Sequence, residues 1–351
     1  MKLHPFFFSL VALFTCHLGH CKVTSDLSHP IPMIVDTDVD LDDMVAILYL
    51  LKSPRGNIKA ITVVGGGMSR WEYGAKNISN LLELAGRSHV PVAYGAKKSL
   101  SPAGSFPKEW RDEADAVRGI KLPQNPVQPV RVSASDLMVD LIMNSPNKIS
   151  LFCMGPLTNL AIAMEKTPAI KENIDHLYIM GGVIVPPGNI EGRPQGFRNT
   201  TAEYNIFLDA KAASDVFNSG VPITLIPFDV TEQVPITKAF FDRLSKDRKT
   251  PSANFVYEAI KPFSKMHARF KDYFLDSLAA VVITHPEIAT YRTLNLTINM
   301  RKGPEYGRLM MTKKGVPINV CTEVDTDAFY KIFLETLNLP ENIKQNHTES
   351  H

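Results

Sequence analysis

Short apolar runs alternate with stretches of helical spacing along most of this chain. Ile31 to Val35 reads as a buried strand, and Leu41, Met44, Val45 and Leu48 then recur at the spacing of a helix face. Ile58 to Val64 predicts a second strand running into Gly65-Gly66-Gly67, followed by a helix over Trp71 to Ala85 and a third strand at Val90 to Tyr94. Residues 97–130, rich in Pro and weakly periodic, predict a long excursion over the domain rather than core. The alternation then resumes, with helices at Ser135 to Met143, Leu157 to Met164 and Ala210 to Phe217. The strands between them fall at Ile149 to Met154, His176 to Met180 and Ile223 to Pro227. Strands separated by helices of this length require right-handed crossovers, so the expected fold is α/β, with an open, mostly parallel sheet covered by helices on both faces.

The last third is more helical, at Lys238 to Leu244, Ser252 to Phe263 and Asp276 to Thr284. It closes with strand-like segments at Leu294 to Met300, Arg308 to Thr312 and Pro317 to Cys321, then a helix over Ala328 to Leu337. No composition break marks a linker, so one domain is expected over residues 22–351.

Composition narrows the class. The chain has 351 residues, 44% of them hydrophobic, and a net charge of +2. Ample apolar surface excludes disorder, and the balanced charge argues against nucleic acid or a membrane surface as partner. Lys2 followed by a nearly continuous apolar run from Pro5 to Cys16 reads as a signal peptide over residues 1–21, which implies a secreted or periplasmic protein. Of four Cys, two lie in that leader; Cys153 and Cys321 remain, with Cys153 in an apolar run expected to bury it as a free thiol. Sequons occur at Asn77, Asn199, Asn295 and Asn346.

The chemistry begins after the first strand. Asp36-Thr37-Asp38-Val39-Asp40-Leu41-Asp42-Asp43 places five carboxylates in eight residues at the carboxyl end of that strand, where ligands bind in open α/β sheets. Five like charges repel unless a cation neutralises them, and carboxylate oxygens suit Ca²⁺ or Mg²⁺. An EF-hand loop starting at Asp36 needs Gly and Glu where this chain has Leu41 and Ile47, which excludes it. A phosphatase of the haloacid-dehalogenase type, with Asp36 as nucleophile, remains an alternative.

The acidic run and the segments after it resemble the inosine-uridine-preferring nucleoside hydrolase family, whose signature is DxDxGxDD. Met154-Gly155-Pro156-Leu157-Thr158-Asn159 is similar to the family's GPLTN segment. Met180-Gly181-Gly182, Gly188-Asn189 and Ala202-Glu203-Tyr204-Asn205 follow the order of its MGG, GN and AEFN elements. Phe228-Asp229-Val230-Thr231 and Asp276-Ser277-Leu278-Ala279-Ala280 resemble two later segments. The resemblance implies a Rossmann-like nucleoside hydrolase fold, a dimer or tetramer, and hydrolysis of the N-glycosidic bond of ribonucleosides. It implies one Ca²⁺ held by Asp38, Asp43, the Thr158 carbonyl and Asp276, with Asp38 as the base that activates water. Asp42, Asn189, Glu203 and Asn205 are then the expected partners of the ribose hydroxyls.

Three departures bear on substrate. Val39-Asp40 replaces the usual Pro-Gly of the first loop, adding a carboxylate and removing a Gly suited to positive φ. Gly65-Gly66-Gly67-Met68 stands where a polar residue usually reaches the ribose. Tyr273-Phe274-Leu275 precedes the late Asp where His, as acid, or Trp, as stacking residue, is common. Phe106-Pro107-Lys108-Glu109-Trp110-Arg111 resembles a segment of purine-preferring relatives whose Trp stacks on the base, which makes Trp110 a candidate for that contact. These departures leave a third reading open, a secreted nucleoside-binding protein without turnover.

Overall fold

In the computed structural model the described residues are 29–190, 198–263 and 272–340. The leader expected over residues 1–21 and the sequon at Asn346 lie outside them. No helix among the described residues is long and apolar enough to cross a membrane.

The chain runs β1 (Ile31–Thr37), α1 (Leu41–Lys52), β2 (Gly56–Val63), α2 (Trp71–Leu84), β3 (Val92–Tyr94), α3 (Lys108–Asp115), β4 (Val130–Ser133) and α4 (Ala134–Asn144). It continues with β5 (Ile149–Cys153), α5 (Thr158–Lys166), α6 (Ile170–Asn173), β6 (Ile174–Met180), α7 (Tyr204–Leu208), α8 (Ala210–Phe217), β7 (Ile223–Ile226) and α9 (Phe228–Thr231). The closing part is α10 (Lys238–Lys246), α11 (Pro251–Ile260), α12 (Leu275–Thr284), β8 (Ala289–Ile298), β9 (Leu309–Met311), β10 (Val316–Val324) and α13 (Thr326–Leu337).

All the strands join one sheet of order β4-β3-β2-β1-β5-β6-β7-β10-β8-β9. It is parallel from β4 to β10, and β8 and β9 add an antiparallel hairpin at one edge. Central strands such as β5 and β7 are buried along their whole length, as the continuous apolar runs require. Alternate residues of β1 serve opposite layers: Met33 and Val35 pack under α1, α2 and α11 to α13, whereas Ile34 joins the core under α4, α5 and α8. The strand order reverses between β1 and β5. That switch point opens a crevice at their carboxyl ends, where ligands bind in such sheets.

The expected α/β architecture is observed, and two local differences have physical causes. The excursion at 97–130 contains α3 and the edge strand β4, which has too few buried positions to show a period. The hairpin strand starts at Ala289 rather than Leu294, because its first residues are half-exposed and alternate weakly. Asn205 lies in α7, a five-residue helix capped by the Glu203 side chain.

Cys153 and Cys321 are free and buried. Asn77 and Asn199 are also buried, and their amide nitrogens donate to the Asp115 and Tyr306 carbonyls at 3.0 and 2.8 Å, so neither nitrogen is open to a glycan. Asn295 is exposed on β8.

An aromatic cluster locks α12 and α13 behind α1. Phe333 lies 5.3 Å from both Phe274 and Phe329 and 5.6 Å from Tyr49, measured between ring centroids. Phe274 caps α12 two residues before Asp276, so this packing fixes where that carboxylate stands. Phe333→Ala is expected to destabilise the fold by about 3–5 kcal/mol, the usual loss for a buried aromatic, read as a lowered midpoint in urea unfolding.

Candidate active site

The switch point gathers the carboxylates. Ligand oxygens of Asp42, Asp43 and Asp276 all lie within 4.8 Å of one another, although residue 276 enters from a helix far along the chain. Asp38 completes the group at the end of β1; its charge acts on Asp276 and receives that of Asp43. Burial pushes Asp38, Asp42 and Asp276 well above the ordinary carboxylate range, and the neighbouring aspartates push them further. Asp43 rises to about 6, mainly by burial, although the Thr37 hydroxyl donates to its Oδ1 and the Asp40 amide to its Oδ2 at 3.0 Å. Asp276 Oδ1 is buried with no hydrogen-bond donor among the described residues. An all-oxygen group with an unmatched buried carboxylate oxygen fits a divalent cation.

The backbone around Asp38 is unusually close. Met68 N–H donates to its Oδ2 at 3.0 Å, and Ser69 N–H to its carbonyl at 2.8 Å. A Cβ on Gly67 would stand 2.1 Å from the Asp38 Cβ, and one on Gly155 2.8 Å from it. The glycine-rich loop therefore holds the carboxylate through backbone, where a polar side chain was the expected partner of the sugar. Positive φ falls on Val39, at 61°, whereas Asp40 is extended at −98°. The Val39 amide is held by the Thr37 hydroxyl at 3.1 Å, which supports a conformation that costs a β-branched residue on the order of 1–3 kcal/mol. Arg118 pairs with Asp40 at 3.0 Å and compensates the added carboxylate.

Thr158 opens α5, and its hydroxyl donates to Asp209 at 2.7 Å. The part of that loop touching Asp38 is Gly155. The remaining expected residues form a knot at the ends of β5 and β6. Glu203 accepts from the amides of Gly182 and Asn205 at 2.7 and 2.8 Å and from the Asn189 side chain. Burial still holds its carboxyl above the usual range. Asn189 Oδ1 accepts from Tyr204 N–H at 3.0 Å, and the Asn205 amide donates to the Met180 carbonyl at 3.2 Å.

A sequence model described as inosine-uridine preferring nucleoside hydrolase matches residues 33–331. The chain belongs to this family. A pyrimidine-specific ribonucleoside hydrolase of Salmonella arizonae is 32% identical over 249 residues, 70% of this chain and 72% of that one. A plant nucleoside hydrolase superposes with a TM-score of 0.79 at 27% identity, covering 89% of this chain and 100% of its own. A purine-preferring ribonucleoside hydrolase from Gardnerella vaginalis superposes with a TM-score of 0.73 at 26% identity, over 87% and 98% of the two chains. The chain is accordingly an N-glycosyl hydrolase of ribonucleosides, which sets aside the reading without turnover.

The nucleoside hydrolase geometry also disposes of the phosphatase alternative. Asp36 is buried; its Oδ1 accepts from Thr62 and Asn159 at 2.6 and 2.8 Å, and burial lifts it to about 7. A sealed carboxyl of that kind is no nucleophile. Trp110 is half-buried, 6.5 Å from Tyr204, whose ring stacks on Phe106 at 4.3 Å. Asp229, legible only as part of a family segment, accepts from the amides of Ile184 and Val185 at 2.7 and 2.8 Å and shapes the rim.

Two outcomes follow. Gly67→Ala forces Asp38 or the loop aside and is expected to cost about 100-fold or more in kcat with far-UV circular dichroism unchanged. Asp36, ordinary when unfolded, binds its proton up to about pH 7 in the fold, so the metal-free protein loses stability as pH rises from about 4 through 7. Thermal melts in EDTA should show that slope, and Asp36→Asn should make it shallower, with the remainder coming from the raised carboxyls of Asp38, Asp42, Asp43 and Asp276.

Proposed function

We propose that this nucleoside hydrolase is secreted, depends on Ca²⁺ and favours purine ribonucleosides, with Asp38 as the base that takes the proton of the attacking water. The convergence of Asp42, Asp43 and Asp276 on one donor-poor point, with Asp38 electrostatically coupled to it, supports the reading. Asp38, Asp43 and Asp276, with the Thr158 carbonyl, would hold the ion. Bound there, a divalent cation lowers the pKa of water at its open position.

The chain's own groups supply the rest. Met68 N–H fixes the plane of the Asp38 carboxylate, leaving its other oxygen to accept the proton. Negative charge around the sugar favours an oxocarbenium-like transition state. Asp42 is assigned to the 2′/3′ hydroxyls, and Asn189 and Glu203 to the 5′ side, with Asn205 beside them at the end of β6. A site that bonds each hydroxyl rejects a sugar lacking one, because its own groups are left unpaired. Trp110, half-buried and backed by the buried rings of Phe106 and Tyr204, offers an aromatic face on which a purine overlaps more than a pyrimidine does. Secretion rests on the apolar run after Lys2.

The test is a panel of inosine, adenosine, guanosine, uridine and cytidine, with released ribose measured as reducing sugar after EDTA treatment and again with Ca²⁺ restored. Purine turnover that returns with Ca²⁺ is expected, with 2′-deoxyinosine poorer on the order of 10⁴-fold. Asp38→Ala should lower kcat by about 10²–10⁴-fold. Preference for uridine and cytidine would overturn the assignment of Trp110, and activity indifferent to EDTA the assignment of the ion.

A further inference from the structure

Three consecutive glycines form a poor scaffold for a catalytic carboxylate. Gly65-Gly66-Gly67 loses much conformational entropy on ordering, and Gly67 admits no side chain that could anchor the loop. Yet the next amide, of Met68, must meet Asp38 Oδ2 at 3.0 Å. The strut comes from outside the loop. Arg111 on α3 donates through Nε to the Met68 carbonyl at 3.2 Å and through Nη2 to the Gly65 carbonyl at 3.3 Å, so one guanidinium brackets the glycines at both ends. One helical turn on, Asp115 accepts from the Ser69 hydroxyl at 2.8 Å and the Arg70 amide at 2.7 Å.

We propose that Arg111 is a positioning residue for the hydrolytic reaction: it holds the glycine-rich loop in the one conformation that presents the Met68 amide to Asp38. This rests on the role given to Asp38 under the proposed function. A guanidinium has separate donors in a rigid fork and reaches two carbonyls together, whereas a lysine ammonium on a flexible stem reaches one well. Arg111 touches neither sugar nor base in this role. Its loss acts on the chemical step and leaves substrate affinity nearly intact.

The experiment compares the full-length protein with Arg111→Ala and Arg111→Lys by amide hydrogen exchange and by steady-state kinetics on the best ribonucleoside. Arg111→Ala is expected to speed exchange in peptides covering residues 65–69, with the rest of the sheet unchanged. It should lower kcat by about tenfold or more, the usual loss for a supporting residue behind a functional group, with KM nearly constant. Arg111→Lys should fall between, and millimolar guanidinium should restore part of the kcat of the Ala variant and none to the parent. Exchange over residues 65–69 like the parent's overturns the proposal, as does a loss of kcat accompanied by faster exchange throughout the sheet. If the parent itself turns over no ribonucleoside, the proposed function fails, and the exchange result alone still decides whether Arg111 holds the loop.

Discussion

The constraint on which this structure turns is the burial of like charges. Asp42, Asp43 and Asp276 crowd one another, Asp38 acts on them from the end of β1, and Asp38, Asp43 and Asp276 are nearly excluded from water. Alone, such groups hold their protons, which is why burial and mutual repulsion raise every one of them. A fold tolerates that arrangement when a cation is to share it. The desolvation that makes the empty cluster costly also strengthens the attraction for a divalent ion, since low dielectric acts on both. Stability and function thus pull in opposite directions at one point, and the rest of the molecule supports it.

That support is distributed by topology. The reversal of strand order between β1 and β5 opens the crevice, and each wall contributes through backbone as much as through side chains. Thr37 fixes Asp43 and Val39 together, Met68 fixes Asp38, and the aromatic cluster around Phe333 fixes the helix that carries Asp276. Strain at Val39 and the crowding of Gly67 and Gly155 against Asp38 are local costs that a well-packed parallel sheet absorbs.

The architecture was legible because buried parallel strands are written as continuous apolar runs, and the acidic cluster because charge inside an apolar context has few other meanings. What stayed hidden depends on contacts between segments remote in sequence. Nothing near Arg111 shows that it reaches the carbonyls of residues 65 and 68, and α3 is too polar to display a period. The replacement of Pro-Gly by Val39-Asp40 signalled a changed loop, but only the backbone angles show that Val39 takes the left-handed conformation.

The site is also unequal at its two ends. On the proposed function, the sugar end is built on strand termini and short helices, elements that a parallel sheet holds rigidly. The base end is then built from the excursion carrying Trp110 and from the segment before α12, where half-buried Leu275 carries no titratable group. Relatives that share this sheet bear names of opposite base preference, pyrimidine-specific in one and purine-preferring in another. Such divergence is expected where specificity rests on loops and chemistry on the scaffold. On the proposed function, with no side-chain acid at position 275, discrimination among bases falls to surfaces that stack, because stacking is a contact that needs no proton transfer. The same excursion carries Arg111, which bonds the loop that holds Asp38. On the proposed roles of Trp110 and Asp38, changes in this segment that alter base preference are coupled to the hydrolytic step.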